Sequence, residues 1–213
     1  MDYSPGLRGV VAGETEISTV GMEGTSLRYR GYDAIELTKT HTYEYVASLI
    51  IDDNLDGKLF KETFTDHYEN LINDKDLIKI VENLKVRQHP MDVMRTAISY
   101  IGQADERNKL QAASKVTAIA CLVIASYNDQ PSSQLDDDYT VASSLMPNSA
   151  SNQQHEALDD MLILYAEHGF NASTFAARVT ASTRSDLTSA IVSGVGTLKG
   201  ELHGGANEAA VEL

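Results

Sequence analysis

The sequence predicts an all-α protein with a short β-hairpin at its N-terminal side. From residue 34 onward, apolar residues recur at the spacing of a helix face, and strand-like alternation is scarce. Before that point, residues 10–30 combine β-branched residues with glycine turn signals, which is typical of a hairpin. We therefore expect an N-terminal segment with a hairpin at 1–33 and a large helical domain at 34–213.

The first part of the chain divides into the hairpin and a long helical stretch. Gly21 and Gly24 are the turn signals of the hairpin. The helical stretch continues to residue 84, and the positions that share near-helical spacing are Leu37, Val46, Leu49, Ile50, Phe60, Phe64, Leu71, Leu77, Ile80 and Leu84. We expect successive helices over this whole stretch.

Two helices with clear ends are predicted in the middle of the chain. The first begins at Pro90, which suits a first helical turn, and stops at Gly102. His89 is expected to help this helix begin. The second helix runs from about Leu110 to Tyr127, and a polar loop follows it at 128–139.

The last third of the chain has the most regular pattern. One helix is predicted to stop at Gly169 and to present an apolar face made of Met161, Leu164, Tyr165 and His168. A second helix restarts almost at once, with Asn171 or Ser173 as its N-cap. A third runs from a cap at Ser185 to a stop at Gly200.

Charge and composition exclude several classes of protein. The 17 basic and 31 acidic side chains give a net charge of −14, which opposes binding to nucleic acid phosphates or to an anionic membrane surface. The sequence has no signal-peptide pattern and no long uninterrupted apolar run, so we expect a cytoplasmic protein. The single cysteine, Cys121, cannot form an internal disulfide and is expected to be buried.

The stretch "DDNLDGKLFKET" at 52–63 resembles a calcium-binding loop in its first half. Asp52, Asn54, Asp56 and Gly57 match the spacing of such a loop. The match fails at the last position, where a bidentate acid is required and Thr63 stands instead. A plain helix-loop-helix turn rich in Asp, Asn and Gly explains the composition, and a calcium-binding helical protein is the weaker alternative.

Two histidines of the last third are the candidate site residues. His168 is expected at the end of its helix, where the amides of the next helix point into the same space and favour an anion. His203 lies in "LHGGAN", where the glycines let a ligand approach the backbone. Either histidine could instead be a satisfied core residue. No metal site is predicted, because no third ligand has suitable spacing; the histidines expected at the surface are His41, His67 and His155.

Five blocks of the sequence together resemble the citrate synthase family, including the 2-methylcitrate synthases. They are "GLRGVVAGETEISTV" (6–20), "LRYRGYD" (27–33), "HPMDVMRTAIS" (89–99), "LILYAEHGFNASTFAARVTAS" (162–182) and "SDLTSAIVSGVGTLKGELHGGANEA" (185–209). The resemblance implies an almost wholly helical fold with a large and a small domain, in a homodimer with active sites between the domains. It implies no cofactor, because the coenzyme A thioester is a substrate.

The resemblance also implies a reaction and roles for three residues. The family joins an acyl-CoA to oxaloacetate and then hydrolyses the thioester, which yields citrate or 2-methylcitrate. His203, in "HGGAN", matches the histidine that stabilises the enol of the thioester. His168, in "AEHGFNAST", matches a histidine that binds oxaloacetate, and we assign Asn171 of the same motif to substrate binding.

The resemblance leaves part of the family pattern unmatched. Family members usually continue for more than a hundred further residues, which include a second substrate histidine, the catalytic aspartate, the carboxylate-binding arginines and most of the small domain. We therefore expect that the small domain is largely missing and that this chain alone does not turn over. Citrate and 2-methylcitrate synthesis both stay open, and so does a non-catalytic helical remnant or a subunit that needs a partner chain.

Overall fold

Helices make up most of the chain that the structure describes. The computed structural model describes residues 12–20, 26–102, 108–128, 139–147 and 149–205. The helices are α1 (Ala34–Thr38), α2 (Tyr43–Asp52), α3 (Lys58–Ile72), α4 (Lys75–Lys85), α5 (Pro90–Ile101), α6 (Lys109–Tyr127), α7 (Val141–Leu145), α8 (Asn152–Leu164), α9 (Ala172–Ser182) and α10 (Leu187–Leu198). The predicted all-α class is confirmed.

A small antiparallel sheet precedes the helices. Its strands are β1 (Ser18–Thr19), β2 (Arg28–Tyr29) and β3 (Tyr32–Asp33), in that order across the sheet. The pairing of β1 with β2 confirms the predicted hairpin, while the glycines predicted at its turn lie outside the described residues. The third strand was not predicted. Arg30 and Gly31 connect it to β2 with φ angles of 49° and 89°, the left-handed backbone that a tight hairpin turn requires.

The predicted helix ends in the middle of the chain are confirmed. Pro90 lies in the first turn of α5, and the His89 side chain caps this helix by accepting a hydrogen bond from the Met91 amide at 3.1 Å. Gly102 ends it with a φ of 68°, which favours glycine. The next helix, α6, covers the predicted range to within one residue.

The core is built around α6. It packs mainly against α3, α5 and α7, and Cys121, predicted to be buried, is 2% exposed. Burial raises the pKa of the Cys121 thiol to about 12, so the group is inert. By length and composition α6 could cross a membrane, but more than half of it is buried inside the protein, as in the central helix of a folded domain.

The end of α8 differs from the prediction. The helix stops at Leu164, so His168 lies in the following loop and not on a helical face. Of the predicted apolar face, only Met161 and Leu164 lie on the helix, and Met161, Leu164 and Tyr165 are 57%, 39% and 69% exposed. The residue that α8 buries fully is Ile163.

A tertiary contact accounts for this early stop. The hydroxyl of Tyr29, on β2, donates a hydrogen bond to the Ile163 carbonyl at 2.7 Å. The Ala166 amide reaches the same carbonyl at 3.2 Å, which tightens the last turn. The carbonyl is thereby satisfied without a further turn of α-helix. No local sequence signal announces a partner that lies 134 residues away.

The cap of α10 also differs from the prediction. The N-cap is Asp186 and not Ser185, because the Asp186 carboxylate accepts a hydrogen bond from the Ser189 amide at 2.8 Å. A carboxylate at this position also complements the positive end of the helix dipole. The predicted stop is confirmed, since α10 ends at Leu198 and Gly200 follows its C-cap.

Two carboxylates connect α2 to the helices around it. Asp159, on α8, accepts hydrogen bonds from the Tyr43 amide through both oxygens at 3.2 Å. Glu44 is fully buried and accepts from the Val141 amide at 2.8 Å and from the Thr42 hydroxyl at 2.6 Å. The two acids therefore fix the start of α2 against α7 and α8.

The pKa of Asp159 makes this junction sensitive to pH. Burial, and then the charges of Glu44 and Asp160, raise that pKa to about 6. An acid with a raised pKa in the folded state holds its proton there longer than in the unfolded chain, so stability is lost as pH rises from about 4 to about 6.

We expect Asp159→Asn to remove this loss while keeping an oxygen that accepts from the Tyr43 amide. The difference in melting temperature, variant minus wild type, should be about 2–4 °C larger at pH 7.5 than at pH 4.5. The expected shift is small because the carboxylate is partly exposed and solvent screens its charge. Thermal unfolding followed by circular dichroism measures it, and an equal difference at both pH values would contradict the prediction.

Candidate active site

His203 lies in a turn that folds back onto the end of α10. The His203 amide donates to the Gly200 carbonyl at 2.8 Å, and the Gly204 amide donates to the Leu198 carbonyl at 2.9 Å. A Cβ atom on Gly204 would stand 2.5 Å from the Leu198 carbonyl oxygen, so a larger residue cannot occupy this position without moving the backbone. The glycine thus fixes where the half-buried His203 side chain lies.

A chain of hydrogen bonds connects His203 to the start of α9. His203 Nε2 lies 3.0 Å from Ser173 Oγ, and the Ser173 hydroxyl donates to Asn171 Oδ1 at 2.7 Å. Asn171 Oδ1 also accepts from the Thr174 amide at 2.8 Å, which caps α9 and fixes the orientation of the amide group. Of the two predicted caps, Asn171 is therefore the actual one.

The single proton of the Ser173 hydroxyl sets the state of the imidazole. When that proton points to Asn171, Ser173 Oγ must accept from His203 Nε2, and Nδ1 of a neutral ring is then an acceptor. When the hydroxyl turns toward His203, Nε2 accepts and Nδ1 carries the proton. The ring can thus present either an acceptor or a donor at Nδ1 without changing its charge.

The loop between α8 and α9 holds His168 in an exposed position. Gly169 follows with a φ of 88°, and its amide donates to both carboxylate oxygens of Glu167 at 2.9 and 2.8 Å. Gly169 is therefore a turn residue of this loop and not the helix stop that was predicted. Both oxygens of the Glu167 carboxylate therefore accept a hydrogen bond from the backbone of its own loop.

Phe170 anchors the same loop from two sides. The guanidinium carbon of Arg178, on α9, lies 4.7 Å from the centre of the Phe170 ring, within the range of a cation–π interaction. Gly13 approaches from the N-terminal segment so closely that a Cβ there would lie 3.1 Å from the ring. The residues on either side of Phe170 in the loop are thereby held near the start of α9.

The structure brings together part of the predicted site. His203 and Asn171 are connected through Ser173, whereas the His168 imidazole makes no hydrogen bond within the described residues. The expectation that His168 ends a helix beside the α9 amides is therefore wrong in its local geometry. Sequence reasoning missed Ser173 as the partner of His203, because the two residues are 30 positions apart and no motif pairs them.

The remaining histidines are more buried than predicted. His41, His67 and His155 were expected at the surface and are each half-buried. Burial, followed by the positive charge of Lys115, lowers the pKa of His67. The Nδ1 atom of His155 is buried without a hydrogen-bond partner among the described residues.

The calcium-like stretch forms a turn between α2 and α3. Asn54 accepts from the Asp56 amide at 3.1 Å, and Asp56 accepts from the Lys58 amide at 3.1 Å. These side chains satisfy the backbone of the turn. Within the described ranges, no three His, Cys, Asp or Glu side chains converge as metal ligands, so the calcium alternative has no structural support.

Comparison with known proteins identifies the relatives of this chain. A family model described as "Citrate synthase, C-terminal domain" matches residues 6–213. The chain is 39% identical to the 2-methylcitrate synthase of Shewanella oneidensis, over 98% of this chain and 59% of that protein. It is 38% identical to the citrate/2-methylcitrate synthase of Bacillus subtilis, over 99% of this chain and 61% of that protein.

Solved structures show the same relationship. The ternary complex of carboxymethyl coenzyme A and oxaloacetate with citrate synthase from Thermoplasma acidophilum matches with a TM-score of 0.84 at 25% identity. That match covers 99% of this chain and 60% of the solved chain. The citrate synthase of Thermotoga maritima matches with a TM-score of 0.77 at 30% identity, over 96% of this chain and 57% of the solved chain.

These matches extend over nearly the whole sequence and agree with the helical architecture. The chain spans about 60% of the length of the curated relatives it matches. The resemblance inferred from the sequence blocks is confirmed by sequence and by structure. The chain belongs to the citrate synthase family.

Proposed function

We propose that this chain contributes to an acyltransferase that joins an acyl-CoA to oxaloacetate. The α-carbon of the thioester forms a bond to the keto carbon of oxaloacetate, and water then hydrolyses the thioester to release coenzyme A. The observation that supports this most directly is the position of His203. It lies in a turn closed by hydrogen bonds of its glycines, and its ring is hydrogen-bonded through Ser173 to Asn171. The names of the curated relatives and the ligands of the Thermoplasma complex support the same reaction class.

His203 has the properties needed to stabilise an enol. The enolate oxygen that develops on the thioester needs a neutral donor close by. His203 can supply it from Nδ1 when the Ser173 hydroxyl turns from Asn171 to Nε2, a distance of 3.0 Å. We propose that this rotation accompanies substrate binding. His168 and Asn171 are then the residues of the adjacent loop that contact oxaloacetate.

We propose that the residues near His203 supply only part of the chemistry. Removal of the α-proton requires a base, and the acid nearest in sequence to the proposed oxaloacetate residues, Glu167, is bonded to the Gly169 amide. We propose that the base and the groups that bind the oxaloacetate carboxylates come from protein outside this chain. We further propose a cytoplasmic homodimer that uses no cofactor.

The test is a thiol-release assay with oxaloacetate and an acyl-CoA. We expect no steady turnover from the isolated chain. We expect turnover when the chain is co-expressed with the part of the Shewanella 2-methylcitrate synthase that its match leaves uncovered, a preparation that we call the complemented enzyme. Steady turnover by the isolated chain would overturn the proposal that part of the active site comes from protein outside this chain.

A non-catalytic helical module is the competing function. It predicts an inactive complemented enzyme and no perturbation of Asn171 or His168 resonances when oxaloacetate is added to the chain. Both results together would overturn the acyltransferase proposal. Comparing acetyl-CoA with propionyl-CoA in the complemented enzyme then identifies the acyl substrate, since one methylene in a pocket changes the transition-state free energy by about 1–3 kcal/mol.

A further inference from the structure

An ion pair ties the end of α10 to α5. Lys199 Nζ lies 2.6 Å from Asp92 Oδ2, and the two residues are 107 positions apart in the sequence. Arg95 contacts the other carboxylate oxygen of Asp92 at 3.1 Å. Asp92, on α5, therefore pairs with Arg95 of its own helix and with Lys199 at the end of α10.

The Asp92 carboxylate keeps its charge at this junction. The Lys199 hydrogen bond is the main cause that lowers the pKa of Asp92, and the charges of Arg95 and His89 act in the same direction. The carboxylate is thus ionised over the physiological range. Lys199 also follows α10 directly, where a positive charge complements the helix dipole.

The turn that holds His203 is built directly on Lys199. The Lys199 amide continues the hydrogen bonds of α10 by donating to the Val195 carbonyl at 3.2 Å. The Gly204 amide donates to the Leu198 carbonyl at 2.9 Å and the Gly205 amide to the Gly200 carbonyl at 3.2 Å, so the turn is closed against the two neighbours of Lys199 in the chain. A movement of Lys199 must therefore move His203.

The contact between His203 and Ser173 depends on the relative position of α9 and α10. His203 follows α10, while Ser173 is in the first turn of α9, and their side chains meet at 3.0 Å. The two helices pack along each other, which limits their separation, and the Asp92–Lys199 pair fixes the end of α10 against α5. The pair thus restrains the one end of α10 from which the His203 turn leaves.

We propose that Asp92 is a positioning residue for His203 and that it acts through Lys199. The proposal rests on the role of His203 in the proposed function. Asp92 keeps the imidazole within hydrogen-bond reach of Ser173, so that the Ser173 hydroxyl can set which ring nitrogen carries the proton.

Nuclear magnetic resonance of the isolated chain tests this without any turnover. The readouts are the two ring nitrogen shifts of His203 and the nuclear Overhauser effect between its ring and the Ser173 methylene. We expect Lys199→Met and Asp92→Asn to lose this effect and to move the shifts toward those of Ser173→Ala. Lys199→Arg should restore wild-type values because it keeps the charge.

A control removes a local lysine–carboxylate ion pair that does not join two helices. Lys39→Met breaks the 2.8 Å pair with Glu36 on α1 and should leave the His203 signals unchanged. Wild-type His203 signals in both Lys199→Met and Asp92→Asn would overturn the proposal, as would the same changes in Lys39→Met. Loss of cooperative unfolding in both variants would overturn it as well, because the pair would then hold the fold and not the turn.

The complemented enzyme separates this inference from the proposed function. Lys199→Met should lower kcat by about tenfold with little change in the KM for oxaloacetate, since a displaced donor costs rate more than binding. If His203→Ala leaves turnover intact, the proposed enol role of His203 fails, whereas the magnetic resonance result on the contact between His203 and Ser173 still stands on its own.

Discussion

His203→Ala is expected to lower kcat of the complemented enzyme by about 10²–10³-fold, the usual loss when a donor to a developing oxyanion is removed. The KM for oxaloacetate should change little, because the donor acts on the thioester. The side chain is half-buried and contacts Ser173 without filling the core, so the fold should survive its removal. Steady-state kinetics by thiol release measure the loss.

The control for this variant is another half-buried histidine. His41 lies between α1 and α2 and is hydrogen-bonded to Thr40 at 2.8 Å. The helices that α1 and α2 mainly pack against are α3, α6, α7 and α8. We expect His41→Ala to keep wild-type kcat. A loss of equal size in both variants would mean that the effect of His203→Ala comes from stability, and no loss in His203→Ala would remove the proposed enol role.

The second large effect is expected from a single methyl group at Gly204. In Gly204→Ala the new Cβ would stand 2.5 Å from the Leu198 carbonyl oxygen, a distance that backbone atoms cannot accept. The turn must move, and the imidazole with it. We expect kcat to fall by about 10²-fold, since a misplacement of about 1 Å at a reacting group costs this much. Thiol release by the complemented enzyme measures it.

Gly196→Ala is the matched control within the same region. Gly196 lies inside α10, and the nearest atom to an added Cβ is Arg95 Nη1 at 3.6 Å, an ordinary contact. Because alanine favours a helix over glycine, we expect unchanged kcat and a stability gain of up to about 1 kcal/mol. Full activity in Gly204→Ala would show that the position of the turn does not govern the rate.

Local signals in the sequence were sufficient wherever a helix end depends on its own neighbours. Pro90 and Gly102 bound α5 as predicted, because a fixed φ and a left-handed residue act within one turn. Asn171 caps α9 for the same reason, since its side chain reaches an amide three residues on. The family resemblance rested on such blocks and is confirmed.

The structure departs from these expectations where a distant residue intervenes. The hydroxyl of Tyr29 satisfies the Ile163 carbonyl, so α8 stops before His168 and leaves that histidine in a loop. The apolar spacing of Met161 and Leu164 predicted that they share a helical face, and both are exposed in this chain. Periodicity reports which residues share a face, but it does not report whether anything covers that face.

The sequence by itself determined the helical class, the ends of α5 and α6 and the cap of α9, because each depends on interactions that act within one or two helical turns. The family followed from five blocks of the sequence. The sequence also singled out His203 through the glycines that surround it. Only the tertiary structure decided that Ser173 is the partner of His203 and that Asp92 holds the end of α10 through Lys199. Such contacts join residues that are 30 and 107 positions apart, and their geometry is set by how the helices pack, which no local pattern encodes.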